Sequence, residues 1–513
     1  MLKKYLGDID APVFWVSFIA LVVALIFGVI VPERLAEILN VADAFVVSNF
    51  TWWYMLVIAG SILFIIWLAF SRFGSIKLGK DRDVPEYTTF NWIAMLFSCG
   101  IGVGFIFWGV AEPLYHFMDT PYLAESGTAA AAPVAMQITL LHWGIHGWVC
   151  YSVIGVAIAY STYRLGNPLR FSYALEPLLG DRAHGFLGKL VDFLAVFATV
   201  AGISTSLGMG VISIRYGTTS VFGIVMTEAY VIVALLVLIA AYTISTMTGL
   251  NRGIKKLSVL NIWLAMFLLA FVFIMGNTRF FLDLMVDGFG HYISNLVFMT
   301  FWTDPVEQTP WLGWWTVFYW GWWIAWGPFV GGFIARISKG RTIREFVIGV
   351  LVVPLAMTVI WFSVIGGATI DAQMTGAVDM WGAITEDTGS GIYALLSAYP
   401  LGSVVAIVVY FNMLTFLVTS ADSAAFFVSM ILSKGNLTPT TGMRVIWAIL
   451  LGASAIILTL SGGLGALQTI SILAALPFSL VVIAVIVAFV KSITTDDQVK
   501  IGAEASDHDS VAG

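Results

Sequence analysis

GWWTVFYWGWWIAWGPFVGGFIARISKGRTIREF, from Gly313 to Phe346, is the stretch whose reading decides the fold. Trp314, Trp315, Trp320, Trp322, Trp323 and Trp326 fall inside one membrane-length segment, broken by glycines and Pro328 and closed by Arg336, Lys339, Arg341 and Arg344. Lipid-facing helices gather tryptophan at the two membrane surfaces, not along their length. Indoles at mid-depth instead suit a cage for a cation that carries no N–H donors, held by the negative faces of the rings. A quaternary ammonium ligand is the first candidate.

The rest of the chain is of one kind with this run. Its 513 residues are 60% hydrophobic and 11% charged, with mean hydropathy +0.95, whereas about 25% charged is usual in soluble domains. Apolar spans of about 20 residues recur from Val13 to Val490. The pattern predicts an all-α polytopic membrane protein with twelve transmembrane helices, at 13–31, 50–71, 90–112, 134–162, 190–214, 226–247, 257–276, 313–335, 346–368, 399–433, 443–461 and 467–490, and no soluble domain between them. The first apolar run is long and lacks a clear cleavage site, so it reads as an uncleaved span. Cys99 and Cys150 both fall within spans and read as buried small residues, not as a disulfide. The net charge of -6 and the lack of a basic run argue against a nucleic-acid partner.

With the N-terminus inside, 21 of the 24 Lys and Arg fall in cytoplasmic segments, and only Arg34, Arg215 and Arg279 lie outside. The positive-inside rule then predicts an even number of spans with both termini cytoplasmic, in the cell (inner) membrane. The outer loop carrying Asp371, Asp379, Glu386 and Asp387 would draw cations, or is simply solvated. Between Arg279 and Met299, Asp283, Asp287, His291 and Asn295 alternate with apolar residues, which predicts an amphipathic helix along the outer surface.

Two spans carry breaks. SCGIGVGF places Gly100, Gly102 and Gly104 two apart in the third span, so its middle is easily unwound; the eighth holds Gly321, Gly327, Pro328, Gly331 and Gly332. Unwound backbone at membrane depth is tolerated only against protein or a wet cavity. Two interrupted spans, five apart, point to an inverted repeat with its site between them, while helix packing through small residues is the plainer account. The tenth span carries TSADS, with Thr419, Ser420, Asp422 and Ser423 in an apolar stretch. Hydroxyls and freed carbonyls suit a hard cation. A sodium ion held by Thr419, Ser420 and the carbonyls near Ser98 and Ile101 would join span ten to the break in span three; alternatively the hydroxyls only bond their own backbone. In the fourth span HWGIHGWVCY puts Trp143, Trp148 and Tyr151 within an arc of roughly 140° at 100° per residue, one wall of a shared cage. His142 and His146 at i, i+4 lack a third ligand or a Glu, and read as packing histidines.

FYWGWWIAWGPFVGGFIARISKGRTIREF, TSADS, HWGIHGW and GVAEP at Gly109 to Pro113 together closely resemble the betaine/choline/carnitine transporter family, over nearly the whole chain. The resemblance implies a LeuT-type core of two five-helix inverted repeats, 90–276 and 313–491. These follow a cytoplasmic tail (1–12) and two peripheral helices with a loop (13–89); an amphipathic helix and linker (277–312) separates them, and an acidic tail (492–513) ends the chain. It further implies a homotrimer. The matching positions assign the aromatic box to Trp143, Trp148, Tyr151 and Trp323, the pathway or a second substrate position to Trp322 and Trp326, and one sodium site to Phe416, Thr419 and Ser420 with the backbone at Ser98 and Ile101. Thr199 matches part of another sodium site, although Ile203 stands where a threonine is expected. Gly100, Gly102 and Gly104 belong to the substrate-binding stretch; Asp422, Ser423 and Pro328 are assigned structural or gating roles.

Departures refine what the resemblance implies. Asn261 stands in the region where sodium-independent carnitine exchangers carry an arginine, which favours sodium coupling. Gly104 stands where choline-selective members often place an Asp, which favours a zwitterion. Ile101 and Gly327 replace the usual methionine and serine, so dimethylsulfoniopropionate competes with glycine betaine as the expected onium zwitterion. The short acidic tail, with Asp496, Asp497, Glu504, Asp507 and Asp509, implies weak or absent activation by osmotic stress. The expectation is a sodium symporter working by alternating access, with a sodium-independent exchanger or choline transporter as the alternative within the family. A cation channel, or an enzyme using His142, His146 and Asp422, is the alternative outside it; no nucleophile elbow, P-loop or Cys-x-x-Cys supports catalysis, and no cofactor beyond the coupling ion is expected.

Overall fold

The computed structural model describes residues 5–100, 102–248 and 251–496, with the side chains of 97–100, 228, 235, 246, 248 and 251–256 outside the description. Among the described residues there are helices and no strand, apart from one isolated bridge between Lys77 and Thr342. Eight helical stretches among the described residues are long and apolar enough to cross a membrane.

Helix α1 (Ala11–Ile30) and α2 (Pro32–Phe70) each open on a proline in the first turn, where its missing N–H costs nothing. The segment 32–49, predicted as a loop, is the first part of α2. The third span divides into α3 (Thr89–Gly100) and α4 (Val103–Met118), separated where Gly102 is extended at φ −148°, ψ −165°. The fourth also divides, into α5 (Ala131–Trp143) and α6 (Ile145–Ala159), at Gly144 with φ −86°, ψ −136°. Next come α7 (Phe186–Phe222), α8 (Glu228–Thr248), α9 (Asn251–Met275) and α10 (Thr278–Phe301). The predicted amphipathic helix is α10, which buries Phe281, Leu284, Gly288 and Tyr292 along one face. The chain closes with α11 (Phe318–Ile337), α12 (Ile343–Thr375), α13 (Gly402–Leu432) and α14 (Thr441–Ile493). Helix α14 bends at Gly462 and Gly463, where the backbone leaves helical geometry and φ of Gly463 is +59°. That bend falls between the two predicted spans 443–461 and 467–490.

The eighth span corrects the expectation. Helix α11 runs unbroken through Gly321, Gly327, Pro328, Gly331 and Gly332, and the irregular turn is a π-helical one before it, Gly313–Val317. Its glycines admit neighbours instead of unwinding: Ile154 lies over Gly327 and Gly331, the Phe427 ring over Gly332, and the backbone of Ile472 over Gly321. Pro328 therefore marks no break, and span eight supplies no second interruption to pair with span three. A Cβ at position 321 would lie 2.8 Å from Ile472 Cα, backbone that cannot rotate away. Gly321→Ala is expected to destabilise by about 1–3 kcal/mol, read as a lowered melting temperature in detergent. Gly465→Ala, with open space around it, should leave the midpoint unchanged or raise it.

Helix α11 packs on α6 and α14, α7 on α14 and α13, and α12 on α4, so α4, α6, α7, α11 and α13 converge on one interior region. The basic loop after α11 folds against the segment after α2: Leu78 N donates to Arg341 O at 2.8 Å and Gly340 N to Leu78 O at 2.8 Å. Arg344 Nε reaches Ala69 O at 2.8 Å, and the Arg341 guanidinium lies 4.1 Å from the centre of the Trp92 ring.

Candidate functional site

The break at Gly144 is what assembles the cage. Ending α5 there exposes carbonyls that a continuous helix would have satisfied, and unpaired carbonyls at membrane depth are costly. Trp323 Nε1 of α11 donates to His142 O at 2.8 Å, and the Thr358 hydroxyl of α12 donates to Trp143 O at 3.1 Å. The unwound turn is thus closed by side chains of two other helices, and one of them is a cage tryptophan. The arc drawn for a continuous fourth span does not apply across Gly144; even so, Trp143, Trp148 and Tyr151 all face the same cavity.

Seven aromatic residues line that cavity: Phe105, Trp143, Trp148, Tyr151, Trp322, Trp323 and Trp326. Trp322 and Trp323 stack at 4.7 Å between ring centres and 16° between planes. Trp143 meets Trp323 edge-on at 5.0 Å and Trp148 meets Tyr151 edge-on at 5.5 Å. The polar edges of three indoles are tied to protein: Trp143 Nε1 to Glu112 Oε2 at 2.5 Å, Trp322 Nε1 to Gly202 O at 3.3 Å, and Trp323 as above. With those N–H groups committed, the rings offer a cavity occupant mainly π surface. Gly102 and Gly104 complete the wall; a Cβ at 104 would lie 3.0 Å from both Trp143 and Trp322. No Lys, Arg, Asp or Glu is among the described residues lining this cavity.

A second, more polar cavity adjoins the first. Gly102, Trp326 and Ser420 line both, and Ser258, Asn261, Phe416, Thr419 and Ser423 line only the second. The Thr419 hydroxyl donates to Thr415 O at 3.0 Å or Phe416 O at 3.1 Å. That bond is the plain backbone bond foreseen for a membrane threonine, yet it uses the proton and leaves oxygen lone pairs facing outward. Asn261 Nδ2 lies 3.4 Å from the same oxygen.

Other expected residues fall elsewhere. Thr199 is buried, donates to Ala195 O at 2.8 Å and lines neither cavity. Asp422 is buried and likewise lines neither. The side chain of Ser98 and all of Ile101 lie outside the described residues, and Gly100 is described only as the end of α3. Cys150 is a buried free thiol.

Behind the cage stands a group that the sequence reading passed over. Glu112, fully buried on α4, receives Trp143 Nε1 and the Tyr319 hydroxyl on Oε2. Its Oε1 lies 2.6 Å from His142 Nδ1 and 3.2 Å from His116 Nε2. His142 Nε2 is 3.0 Å from Thr316 Oγ1. Glu112, His116 and His142 have the spacing of metal ligands, but Trp143, Tyr319 and Thr316 engage the same groups, and both oxygens of Glu112 are taken up in a hydrogen-bonded network. The two histidines of HWGIH are not a facing pair: they flank the break, and His146 binds Thr300 Oγ1 at 2.8 Å while stacking on Trp320. The readable signal for Glu112 was a lone carboxylate at the end of predicted span 90–112, since such a group at membrane depth is a functional hypothesis by default.

The model of the betaine/carnitine/choline family of transporters matches residues 12–498. This chain belongs to that family. It is 41% identical to the glycine betaine transporter OpuD of Bacillus subtilis over 94% of both chains. To the ectoine/hydroxyectoine transporter of Virgibacillus pantothenticus it is 39% identical, over 96% of this chain and 98% of the relative. To the osmo-independent choline transporter BetT1 of Acinetobacter baylyi it is 37% identical, over 95% and 94%. As a betaine/carnitine/choline family member, the protein is a membrane-embedded transporter and not an enzyme, so the enzyme alternative built on His142, His146 and Asp422 falls.

Proposed function

We propose that this transporter imports a methylated onium zwitterion, such as glycine betaine or dimethylsulfoniopropionate, together with sodium. The observation that carries the reading is the cavity of seven aromatic residues with no charged residue among its described lining. Such a site offers a primary ammonium no carboxylate and only a few hydroxyl acceptors for its N–H donors, but it suits a cation whose charge is spread over methyl groups. Relatives named for glycine betaine and for ectoine agree with a zwitterionic cargo. The choline alternative is disfavoured by Gly104, which supplies no carboxylate to stand in for a zwitterion's own.

Sodium occupies the second cavity in this reading, held by Thr419 and Ser420 against the break in span three, so that the ion orders the wall that completes the cage. Ten of the twelve spans, in two five-helix inverted repeats, 90–276 and 313–491, then rock about the site in the cell inner membrane, with both termini cytoplasmic and three copies assembled in a lipid-embedded homotrimer. Purified protein in liposomes should accumulate labelled glycine betaine or dimethylsulfoniopropionate under an inward sodium gradient, with carnitine, choline and ectoine as competitors to rank. Flux that never saturates would indicate a channel, and equal uptake under a potassium gradient would defeat sodium coupling.

A further inference from the structure

We infer that Glu112 is the counter-charge of the onium cage, a positioning residue that acts through Trp143 and Tyr319 without touching the cargo. The inference rests on the reading of the cavity as an onium site. A cation entering that cavity leaves water and finds no carboxylate among the described residues lining either cavity. One layer behind the rings, Glu112 is fully buried, and each of its two oxygens is approached by two polar groups: Trp143 and Tyr319 at Oε2, His142 and His116 at Oε1.

An ionised carboxylate has about four acceptor positions, and all four neighbours can act as donors. His142 Nδ1 donates when its Nε2 accepts from the Thr316 hydroxyl; His116 donates through Nε2, leaving Nδ1, which has no partner, as a bare acceptor. The carboxylate is thus satisfied as an anion with both histidines neutral, and His116 Nδ1 is the one polar atom of the three side chains without a partner. The carboxylate also reaches the cavity through its donors. Tyr319 lies 5.5 Å from Trp143 and 5.7 Å from Trp323 between ring centres, and Trp143 itself lines the wall. A negative acceptor on the Trp143 N–H and Tyr319 O–H pushes electron density onto their rings and strengthens the face that meets the cation. The low dielectric around it lets the charge act over a distance that water would screen.

A structural bracket and a counter-charge predict different things. Glycine betaine and its tert-butyl isostere, with carbon in place of the quaternary nitrogen, have the same shape and differ by one positive charge. Wild-type protein is expected to bind the onium compound at least tenfold more tightly than the isostere, measured by tryptophan fluorescence. Glu112→Gln should reduce that preference about tenfold, whereas a bracket role would weaken both ligands alike and leave the ratio unmoved, overturning the inference. Should Glu112→Gln not fold, Tyr319→Phe keeps the test open: it cuts one of the two links through which the carboxylate acts, so the preference should fall, though by less than in Glu112→Gln, and a preference unmoved by it would overturn the inference. Equal affinity of wild type for the two ligands would do the same without any variant. Absence of all glycine betaine and dimethylsulfoniopropionate binding by wild type would instead remove the onium reading itself.

Discussion

Trp323→Ala is expected to weaken onium binding about 30-fold and to reduce uptake at low substrate in proportion, because a cation–π contact in a desolvated site is worth about 2 kcal/mol. Two further losses act in the same direction. The indole N–H closes the His142 carbonyl at the α5–α6 break, so alanine leaves a carbonyl unpaired at membrane depth, and the turn that carries Trp143 loses a restraint. The ring also forms half of the stacked pair with Trp322, which would be free to tip into the space. Trp323→Phe keeps a π face and loses the donor, so it should fall between wild type and alanine. Trp314→Ala is the matched control: it belongs to the same tryptophan run but is 59% exposed and should bind as wild type does. Equal affinity for Trp323→Ala and Trp314→Ala would place the onium somewhere other than this cavity.

The cage was legible because its members are chemically conspicuous. Tryptophan in such density has few uses inside a membrane, and Gly102 was marked as a point of unwinding by its glycine neighbours. Gly144 and the glycines of α11 show where that logic stops. A glycine does not say whether it serves a break or a close approach; the neighbour decides. At 144 a Cβ would meet Leu140 O at 2.4 Å, and the helix ends. At 327 and 331 the neighbour is Ile154 from another helix, and the helix continues. Glu112 was hidden differently. GVAEP carries a carboxylate in an apolar helix, which is a visible anomaly, but its partners Tyr319 and His142 are 207 and 30 residues away, and no local pattern brings them together. The pairing of Asn261 with Thr419 across 158 residues is illegible for the same reason.

Thr419→Val should raise the sodium concentration needed for half-maximal uptake by tenfold or more while leaving the maximal rate recoverable at high sodium. Valine keeps the branched shape and removes only the hydroxyl oxygen, and because that hydroxyl already spends its proton on its own helix, the group lost is an acceptor. A hard cation feels that loss directly; an apolar cage does not. Substrate affinity measured at saturating sodium should therefore change little, which separates ion binding from damage to the cage. The driving force offers an independent check. A zwitterion adds no net charge, so one sodium ion per cycle moves one charge, and 100 mV supplies about 2.3 kcal/mol, or roughly 50-fold accumulation at equal sodium on both sides. Liposomes clamped at that potential, with no sodium gradient, should concentrate substrate to about this level if one ion is coupled, and to about its square if two are. The second outcome would return Thr199, now bonded only to Ala195, to consideration as a ligand. Accumulation indifferent to the clamp would mean that no charge crosses, and sodium would cease to be the coupling ion.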